Sequence, residues 1–384
     1  MKQCVNCVMD TTTNDISFDE QGVCSYCRSF EKISKKTIYR SDEVKKAELD
    51  QKVALIKKIG TGKKYDCVLG LSGGVDSTYL AYLAHSLGLR PLCVHFDNGW
   101  NTEIAVQNIH NIVNKLGFDL HTFVMDWEEF KNIQLAYFKA SVLDLEVPTD
   151  QFIFAALFKT AAKRGIKTIL SGNNIATEFV LPLDWRYQKF DLVNLYKIHS
   201  RFGNGKLKKL PKLGSKQRHW YEVAHQIRLI PILDLVPYKK LEVKELIQDK
   251  VDWKDYGGKH YESIFTRWYQ GVYLPEKFNI DKRKAHLSNL IVNGEINKSQ
   301  AIEELNLPTY DPKLQKSDVE YVIKKWGLTE EEYHVIMKMN PVDHQEYGTQ
   351  FSLFHKAMFH LFRLLTYLPI RIGRLMRILP KPLI

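Results

Sequence analysis

Residues 65–77 have the sequence YDCVLGLSGGVDS, in which an apolar run ends at a turn that holds two glycines. The apolar run at 65–71 predicts a buried strand, and the pattern after the turn predicts a helix over 78–87 that is closed by Gly88. The turn at 72–77 therefore lies at the carboxyl end of a strand, where open parallel sheets bind their ligands. Its glycines let the backbone approach an anion, and the next helix aims free N–H groups at the same point. We interpret residues 72–77 as a phosphate-binding turn, called the phosphate turn below.

The phosphate turn differs from two common phosphate-binding patterns. No Gly-Lys-Ser/Thr follows it, so it is not a Walker loop, and its glycine spacing does not fit a dinucleotide-binding fingerprint. Ser72 and Ser77 add hydroxyl donors. A plain strand-to-helix turn without a ligand is the alternative, but such a turn needs neither the serines nor Asp76.

The elements around the phosphate turn alternate between strands and helices. Strands are predicted over 89–96, 120–125 and 167–170, and helices over 102–116, 127–143 and 150–164. This order predicts an α/β fold with right-handed crossovers and a parallel sheet that carries helices on both faces. From residue 178 to about 230 the chain becomes aromatic and basic. Beyond residue 239 it is mostly helical, with helices predicted over 298–305 and 317–326.

Four of the six cysteines form two CxxC pairs near the start of the chain, with sixteen residues between the pairs. This spacing is typical of a zinc ribbon, in which four thiolates surround one tetrahedral ion. Four ligands leave no open position for a substrate, so we predict structural Zn²⁺. An iron–sulfur cluster and four unrelated reduced thiols are the alternatives. The predicted ligands are Cys4, Cys7, Cys24 and Cys27.

The net charge of +11 is concentrated in two parts of the 384-residue chain. Residues 197–230 hold nine basic residues and one acidic residue, and residues 348–384 hold six basic residues and no acidic one. The rest is slightly acidic, which argues against a broad surface for nucleic acid, and no nucleic-acid partner is expected. No apolar run of about 18 residues and no secretory signal are found, which predicts a cytoplasmic protein.

The phosphate turn resembles the signature of the PP-loop ATP pyrophosphatases, and the predicted topology is similar to theirs over about residues 65–171. Within that superfamily, the paired CxxC start and three further stretches resemble the N-acetyl sugar amidotransferases of bacterial surface-polysaccharide synthesis. These stretches are HFDNGWN at 95–101, YGGKHYES at 256–263 and FNIDKRKA at 278–285. One departure is SGNNI at 171–175, where the family has a Gly-Glu-Asn-Pro-like turn, so the role of a glutamate there stays open.

The resemblance implies that ATP is split to AMP and pyrophosphate while the acetamide oxygen of a nucleotide-linked acetamido sugar is adenylated. Ammonia then attacks the carbon and gives an acetamidino group, in the synthesis of O-antigen or another surface polysaccharide. A separate glutaminase subunit is expected to supply the ammonia, since Cys67 and Cys93 lie in apolar strand patterns typical of packed thiols. A PP-loop tRNA-modifying enzyme of the thiolation type is the alternative function. A zinc-ribbon adaptor without enzymatic activity is a further one.

The chain is predicted to consist of four units. Residues 1–45 form the zinc ribbon and a linker, 46–237 the PP-loop ATP pyrophosphatase domain with a basic insertion, 238–346 a mostly helical region for substrate or partner, and 347–384 a basic amphipathic tail. The insertion at 197–230 is interpreted as a long mobile loop that closes over an anionic nucleotide sugar, or else as a solvated insertion. The tail would lie on the inner face of the membrane as a peripheral contact, or pack on protein.

The site residues follow from the turn, the topology and the resemblance. The phosphate turn would hold the departing pyrophosphate, with Asp76 or Asp97 helping to hold Mg²⁺. Lys259, His260, Glu262 and Arg267 would face the sugar, and Lys282 and Arg283 would bind a diphosphate or carboxylate; a solvated loop and an exposed charged helix are the alternatives. The predicted catalytic residues are Ser72, Asp76, Ser77 and Asp97. The residues predicted to bind ATP are Leu71, Ser72, Gly73, Gly74, Val75, Asp76, Ser77, His95, Phe96 and Gly172.

Overall fold

The computed structural model describes residues 2–351, and its centre is a parallel sheet of five strands. The strands lie in the order β3-β2-β1-β4-β5. Strands β2 and β3 are therefore added on one side of β1, and β4 and β5 on the other. The α/β fold class predicted from the sequence is confirmed. The strands are β1 (Cys67–Gly70), β2 (Pro91–Asp97), β3 (Asp119–Val124), β4 (Thr168–Ser171) and β5 (Arg228–Pro231).

Ten helices precede, connect or directly follow the strands. Short 3-10 turns lie at Leu183–Trp185 and Leu233–Leu235. The helices are α1 (Ser25–Ser34), α2 (Asp42–Ile59), α3 (Val75–Ser86), α4 (Glu103–Leu116), α5 (Trp127–Lys139), α6 (Val147–Lys163), α7 (Ile175–Glu178), α8 (Leu192–Phe202), α9 (Ser215–Val223) and α10 (Lys240–Val251).

Residues beyond α10 are helical, as predicted. A π-helical turn, Tyr269–Tyr273, joins the first two helices of this region, and a 3-10 turn lies at His344–Tyr347. The helix at Lys298–Leu305 has the predicted bounds. The helices are α11 (Ile264–Trp268), α12 (Leu274–Phe278), α13 (Arg283–Val292), α14 (Lys298–Leu305), α15 (Pro312–Trp326) and α16 (Glu330–Lys338).

Both faces of the sheet are covered, which explains the unbroken apolar run of β1. Leu69 points to one face, where it belongs to the core formed with α2, α3, α4 and α10. Val68 points to the other face, where it packs with α6 residues such as Phe158. Helix α10 shares a core with β1, so it packs as part of the sheet domain. The domain boundary predicted at residue 237 therefore stays a prediction that this packing does not favour.

A large aromatic core joins the sheet to the C-terminal helices. Trp326 of α15 lies 5.0 Å from Phe138 of α5 and 5.3 Å from Trp268 of α11, measured between ring centroids. Trp100, which follows β2, is fully buried in the same core. The helical region is thus fixed against the carboxyl ends of β2 and β3, where the candidate site lies.

Residues 197–230 differ from the sequence prediction. They were expected to form a long mobile loop, but most of them lie in α8, α9 and β5, so that prediction is wrong. Leu210 and Leu213 are buried, and the backbone amides of Lys208 and Lys209 donate to the carboxylate of Glu129. The helices of this segment were not predicted because its buried apolar residues are spaced too irregularly, among glycines and lysines, to show a helical period.

Among the helices of residues 2–351, none is long and apolar enough to cross a bilayer. The predicted tail at 347–384 lies almost wholly outside these residues. Nothing in the described part of the chain supports the membrane contact proposed for it.

Candidate active site and metal centre

The phosphate turn is a tight, preformed loop between β1 and α3. Gly73 has φ +79°, and a Cβ atom at this position would lie 2.5 Å from the carbonyl oxygen of Ala105. Only glycine therefore fits there without displacing α4. The hydroxyls of Ser72 and Ser77 lie 3.1 Å apart, and Ser72 Oγ accepts the Gly74 amide at 3.2 Å. Gly74 starts α3, so the helix N-terminus opens into the turn.

The phosphate turn is covered by residues from far along the chain. Trp253 Nε1 donates to the Gly73 carbonyl at 2.9 Å, and the Val75 amide donates to the Tyr256 hydroxyl at 3.3 Å. Tyr256 belongs to the YGGKHYES stretch, whereas Trp253 was not identified from the sequence. These bonds attach the start of the C-terminal region directly to the turn.

Asp76 lies in a polar network with the segment after β4. Its Oδ1 accepts from Asn174 Nδ2 at 3.1 Å and from the Tyr238 hydroxyl. Asn174 caps α7 by accepting the Thr177 amide at 2.9 Å, and the Thr177 carbonyl accepts from Lys259 Nζ at 3.0 Å. Gly172 is close as well, since a Cβ there would lie 3.9 Å from the Ser77 amide.

Glu178 is a carboxylate near Asp76 that sequence reasoning missed. Burial raises the pKa of its carboxyl; the positive charge of Lys259 acts against this and the negative charge of Asp76 adds to it. Two carboxylates whose negative charges act on each other in this way form a suitable environment for a divalent cation. No sequence signal pointed to Glu178, because its role depends on Asp76, which is about 100 residues away in the chain.

The other predicted residues at the strand ends are held by local partners. His95 Nδ1 donates to the Leu71 carbonyl at 3.0 Å, so Nε2 accepts from Asn101 at 3.2 Å, and burial lowers the pKa of this histidine. Phe96 stacks on Phe123. Asp97 Oδ1 accepts the Gly99 amide at 3.0 Å. Within residues 2–351, no hydrogen bond joins Asp97 to Asp76.

The remaining predicted residues converge on a second feature, a cleft of about 270 Å³ beside the phosphate turn. Four of the six predicted substrate residues line it, while His260 and Glu262 lie next to it on the same loop. The predicted residues in the lining are Lys259, Arg267, Lys282 and Arg283, and Lys240, Lys244 and His286 add to them. We call this feature the basic cleft.

The cations of the basic cleft fall into two groups. Arg267 binds Asp318 through two bonds of 2.6 and 2.8 Å. The Arg283 guanidinium binds Asp281 and four backbone carbonyls, at 304, 305, 307 and 308. Both arginines therefore support the walls. By contrast, no described carboxylate pairs with Lys240, Lys259 or Lys282.

The pKa of His286 reflects the positive charge of the basic cleft. Burial, together with the charges of Lys259, His260, Lys282 and Lys240, lowers the pKa of His286 well below its usual value. Burial and the Lys259 charge also lower the pKa of Lys240 to about 8. A cleft with this excess of positive charge favours an anionic ligand.

The four N-terminal cysteines meet at one point, as predicted. Their sulfur atoms lie within 4.8 Å of one another, with Cys4 to Cys27 at 3.8 Å and Cys7 to Cys24 at 3.7 Å. In a tetrahedral site with Zn–S bonds of about 2.3 Å, the sulfurs are about 3.8 Å apart. The cluster therefore fits one zinc ion, and the backbone amide of Cys24 donates to Cys4 Sγ as a second-sphere bond.

The zinc ribbon is docked on the walls of the site. The Val8 amide donates to Ser288 Oγ at 3.3 Å, and Lys298 Nζ donates to the Cys4 carbonyl. Asp10 pairs with Lys284 at 2.6 Å. The ribbon therefore fixes α13, the helix that carries Arg283 and His286.

The two remaining cysteines are packed in the sheet. Cys67 and Cys93 are both fully buried, and burial raises the pKa of Cys93 to about 12. Thiols in this state are poor nucleophiles.

Two parts of the chain match models of known protein families. Residues 262–358 match the family model described as "LPS biosynthesis protein WbpG-like, C-terminal domain", and residues 65–227 match the model described as "Asparagine synthase". The second match supports an ATP-dependent enzyme of the carbon–nitrogen ligase type.

One protein sequence and two solved structures are also similar to this chain. An uncharacterized protein of Methanocaldococcus jannaschii, MJ1599, is 26% identical over 314 residues, which are 80% of this chain and 94% of that protein. NMN synthetase from Francisella tularensis is 14% identical with a TM-score of 0.35, over 79% of this chain and 98% of that one. NH3-dependent NAD synthetase from Campylobacter jejuni is 14% identical with a TM-score of 0.31, over 77% and 98%. The two family models and the phosphate turn together show that residues 65–227 are similar to the asparagine synthase family and that residues 262–358 are similar to the WbpG-like C-terminal domain of lipopolysaccharide biosynthesis proteins.

Proposed function

We propose that the chain is an ATP-dependent amidotransferase that converts the acetamido group of a nucleotide-linked N-acetyl sugar into an acetamidino group. The observation that carries the proposal is that the phosphate turn and the basic cleft are neighbours. The segment that starts at Tyr256, on the turn, continues through Gly257, Gly258 and Lys259 in the wall of the cleft. An ATP on the turn and an anionic sugar in the cleft would therefore lie side by side.

The chemistry requires activation of a weak electrophile. An acetamide carbonyl resists attack by ammonia, so its oxygen must first become a leaving group. Attack of this oxygen on the α-phosphorus of ATP releases pyrophosphate and gives an O-adenylated imidate. Ammonia then forms the new C–N bond and AMP departs with the oxygen. The protein contributes mainly position and charge neutralisation to these steps.

The residues have distinct roles in this proposal. The amides and hydroxyls of Ser72, Gly74 and Ser77 hold the departing pyrophosphate. Asp76 and Glu178 would hold a Mg²⁺ ion, which would neutralise charge on the phosphates, and Asp97, whose carboxylate accepts the Gly99 amide, is the other candidate. The adenosine lies against the strand ends at Leu71, His95, Phe96 and Gly172.

Ammonia is supplied by a separate glutaminase subunit in this proposal. A glutaminase needs an activated cysteine. The two cysteines outside the zinc ribbon are fully buried in the sheet, and the pKa of Cys93 is raised. The same burial weakens the alternative of a tRNA-thiolating enzyme, which needs an accessible sulfur-carrying cysteine.

The proposal is tested with the full-length, zinc-loaded protein, ATP, MgCl₂ and ammonium chloride. A panel of nucleotide-linked mono- and diacetamido sugars is supplied, and AMP and pyrophosphate are measured. We expect release that depends on one class of these sugars, with a product in which one oxygen is replaced by NH. Absence of release with every sugar, or release that depends on tRNA, would contradict the proposal. Glutamine used as readily as ammonium by the chain alone would contradict the separate glutaminase.

A second test concerns the basic cleft. Replacing Lys240 or Lys282 by alanine removes a cation without a carboxylate partner, so the KM for the nucleotide sugar should rise about tenfold, the value of one charge-assisted hydrogen bond. The KM for ATP should stay within about twofold, because the phosphate turn is untouched. Lys313→Ala, on the exposed start of α15, is the matched control. Equal increases in both KM values would assign these lysines to ATP instead.

A further inference from the structure

The loop between α10 and α11 holds a histidine in an unusual backbone conformation. His260 has φ +65°, a region that costs energy for residues other than glycine and asparagine. Its neighbours fix this conformation. The Thr102 amide donates to the Glu262 carbonyl at 2.9 Å, and Ser263 pairs with Asn101 in an isolated antiparallel bridge. The loop is therefore anchored on the segment after β2, close to the phosphate turn.

Glu262 orients this histidine. Its Oε1 lies 3.5 Å from His260 Nδ1, and a Cβ atom at Gly74 would lie 3.2 Å from the same oxygen. Its Oε2 is buried without a hydrogen-bond partner among residues 2–351. Burial alone would raise the pKa of Glu262, yet the hydrogen bond and charge of His260 lower it overall. An ionised carboxylate thus joins the histidine to the edge of the phosphate turn.

This contact selects one tautomer of His260. A carboxylate accepts hydrogen bonds, so Nδ1 carries the proton that faces Glu262 and Nε2 keeps its lone pair. In the described part of the chain, Nε2 has no hydrogen-bond partner. The charged and titratable groups around the ring are Lys259, Glu262, Glu178 and His286, whose ring lies 5.8 Å away. An imidazole that lies between the turn and the cleft, with its Nε2 facing no hydrogen-bond partner among the described residues, is placed to accept a proton.

We propose that His260 is the general base of the ammonia step, with Glu262 as its positioning residue. This inference rests on the proposed function. The lone pair of ammonia forms the C–N bond to the N-protonated, O-adenylated imidate, which gives an adduct with an –NH₃⁺ group. His260 Nε2 takes one proton from that group. The C–O bond then breaks, its electron pair leaves with AMP, and the acetamidinium remains.

The experiment separates the two half-reactions. Adenylation is measured without ammonia, as sugar-dependent exchange of labelled pyrophosphate into ATP. The full reaction is measured as amidine formed from ammonium chloride. His260→Gly is the variant of choice, because glycine tolerates φ +65° and leaves space for added imidazole.

We expect amidine formation by His260→Gly to fall about 10²-fold or more. Pyrophosphate exchange should stay within about threefold, and imidazole should restore part of the amidine formation. Glu262→Gln, which keeps the size of the side chain, should show the same selective loss to a smaller extent. His334→Ala, an exposed histidine on α16, is the control for the loss of an imidazole.

Three results would overturn the inference. Equal losses of exchange and amidine formation would make His260 a substrate-binding residue, unchanged amidine formation would deny it any role, and absence of rescue by imidazole would deny proton transfer. Failure of the proposed function would give a different result, because the unmodified protein itself would then show no sugar-dependent exchange.

Discussion

Asp76→Asn will lower AMP formation about 10³-fold while the protein stays folded. The amide keeps an oxygen for the hydrogen bonds from Asn174 and the Tyr238 hydroxyl, so the local structure is preserved. It removes the negative charge that is proposed to hold Mg²⁺ together with Glu178, and positioning and charge neutralisation are the main sources of catalysis in phosphoryl transfer. The measurements are AMP release at saturating substrates and the circular dichroism spectrum.

Three further variants complete this test. Glu178→Gln should cause a similar loss, whereas Asp97→Asn should cause a smaller one because it is the charge of Asp76 that acts on Glu178. Asp249→Asn, an exposed residue of α10 paired with Lys250, is the matched control. Activity of Asp76→Asn within tenfold of the unmodified protein would refute the role of this carboxylate.

Loss of zinc will unfold the N-terminal ribbon and loosen the basic cleft. Four of the seven buried apolar residues among the first 34 are the cysteines themselves. Structural zinc contributes about 10–16 kcal/mol to folding in small zinc modules. Cys24→Ser, or treatment with a chelator, should therefore expose this segment to trypsin and lower the melting temperature. Metal analysis of the unmodified protein should give one zinc per chain.

The consequences of zinc loss should extend to the sugar. Because the ribbon contacts Ser288, Lys284 and Lys298, its loss frees one side of α13, and the KM for the nucleotide sugar should rise more than that for ATP. Cys67→Ala is the control, since this buried cysteine is remote from the metal ligands in the sequence and should leave the zinc content unchanged. Full zinc content in Cys24→Ser, or iron in place of zinc, would contradict the predicted centre.

The sheet and the metal centre could be predicted from the sequence because their signals are local. Strand β1, the phosphate turn and the four cysteines each depend on residues that are close in the chain. The helix predicted over 102–116 corresponds to α4, which ends at Leu116 before Gly117 with φ +64°. Strand β5 was missed, since only four residues form it and the basic segment before it has no clear period.

The partners of charged side chains were beyond sequence reasoning. Arg267 and Lys282 look equivalent in the sequence, but the fold pairs the first with Asp318 and leaves the second without a carboxylate among the described residues. Glu178 was missed for a related reason, because its importance comes from Asp76, which lies on α3 about 100 residues earlier in the chain. Sequence shows which charges are present, and packing determines which of them remain available for a ligand.

The bonds from Trp253 and Tyr256 to the phosphate turn also define what can be exchanged between related enzymes. The carbonyl of Gly73 and the amide of Val75 are satisfied by donors and acceptors about 180 residues further along the chain. A chimaera that imported residues 65–227 from another protein would separate these pairs and leave buried backbone groups without partners. Residues 65–227 and the segment at 253–263 must therefore be exchanged together. Only then would the phosphate turn keep its hydrogen-bond partners in a chimaera with altered specificity.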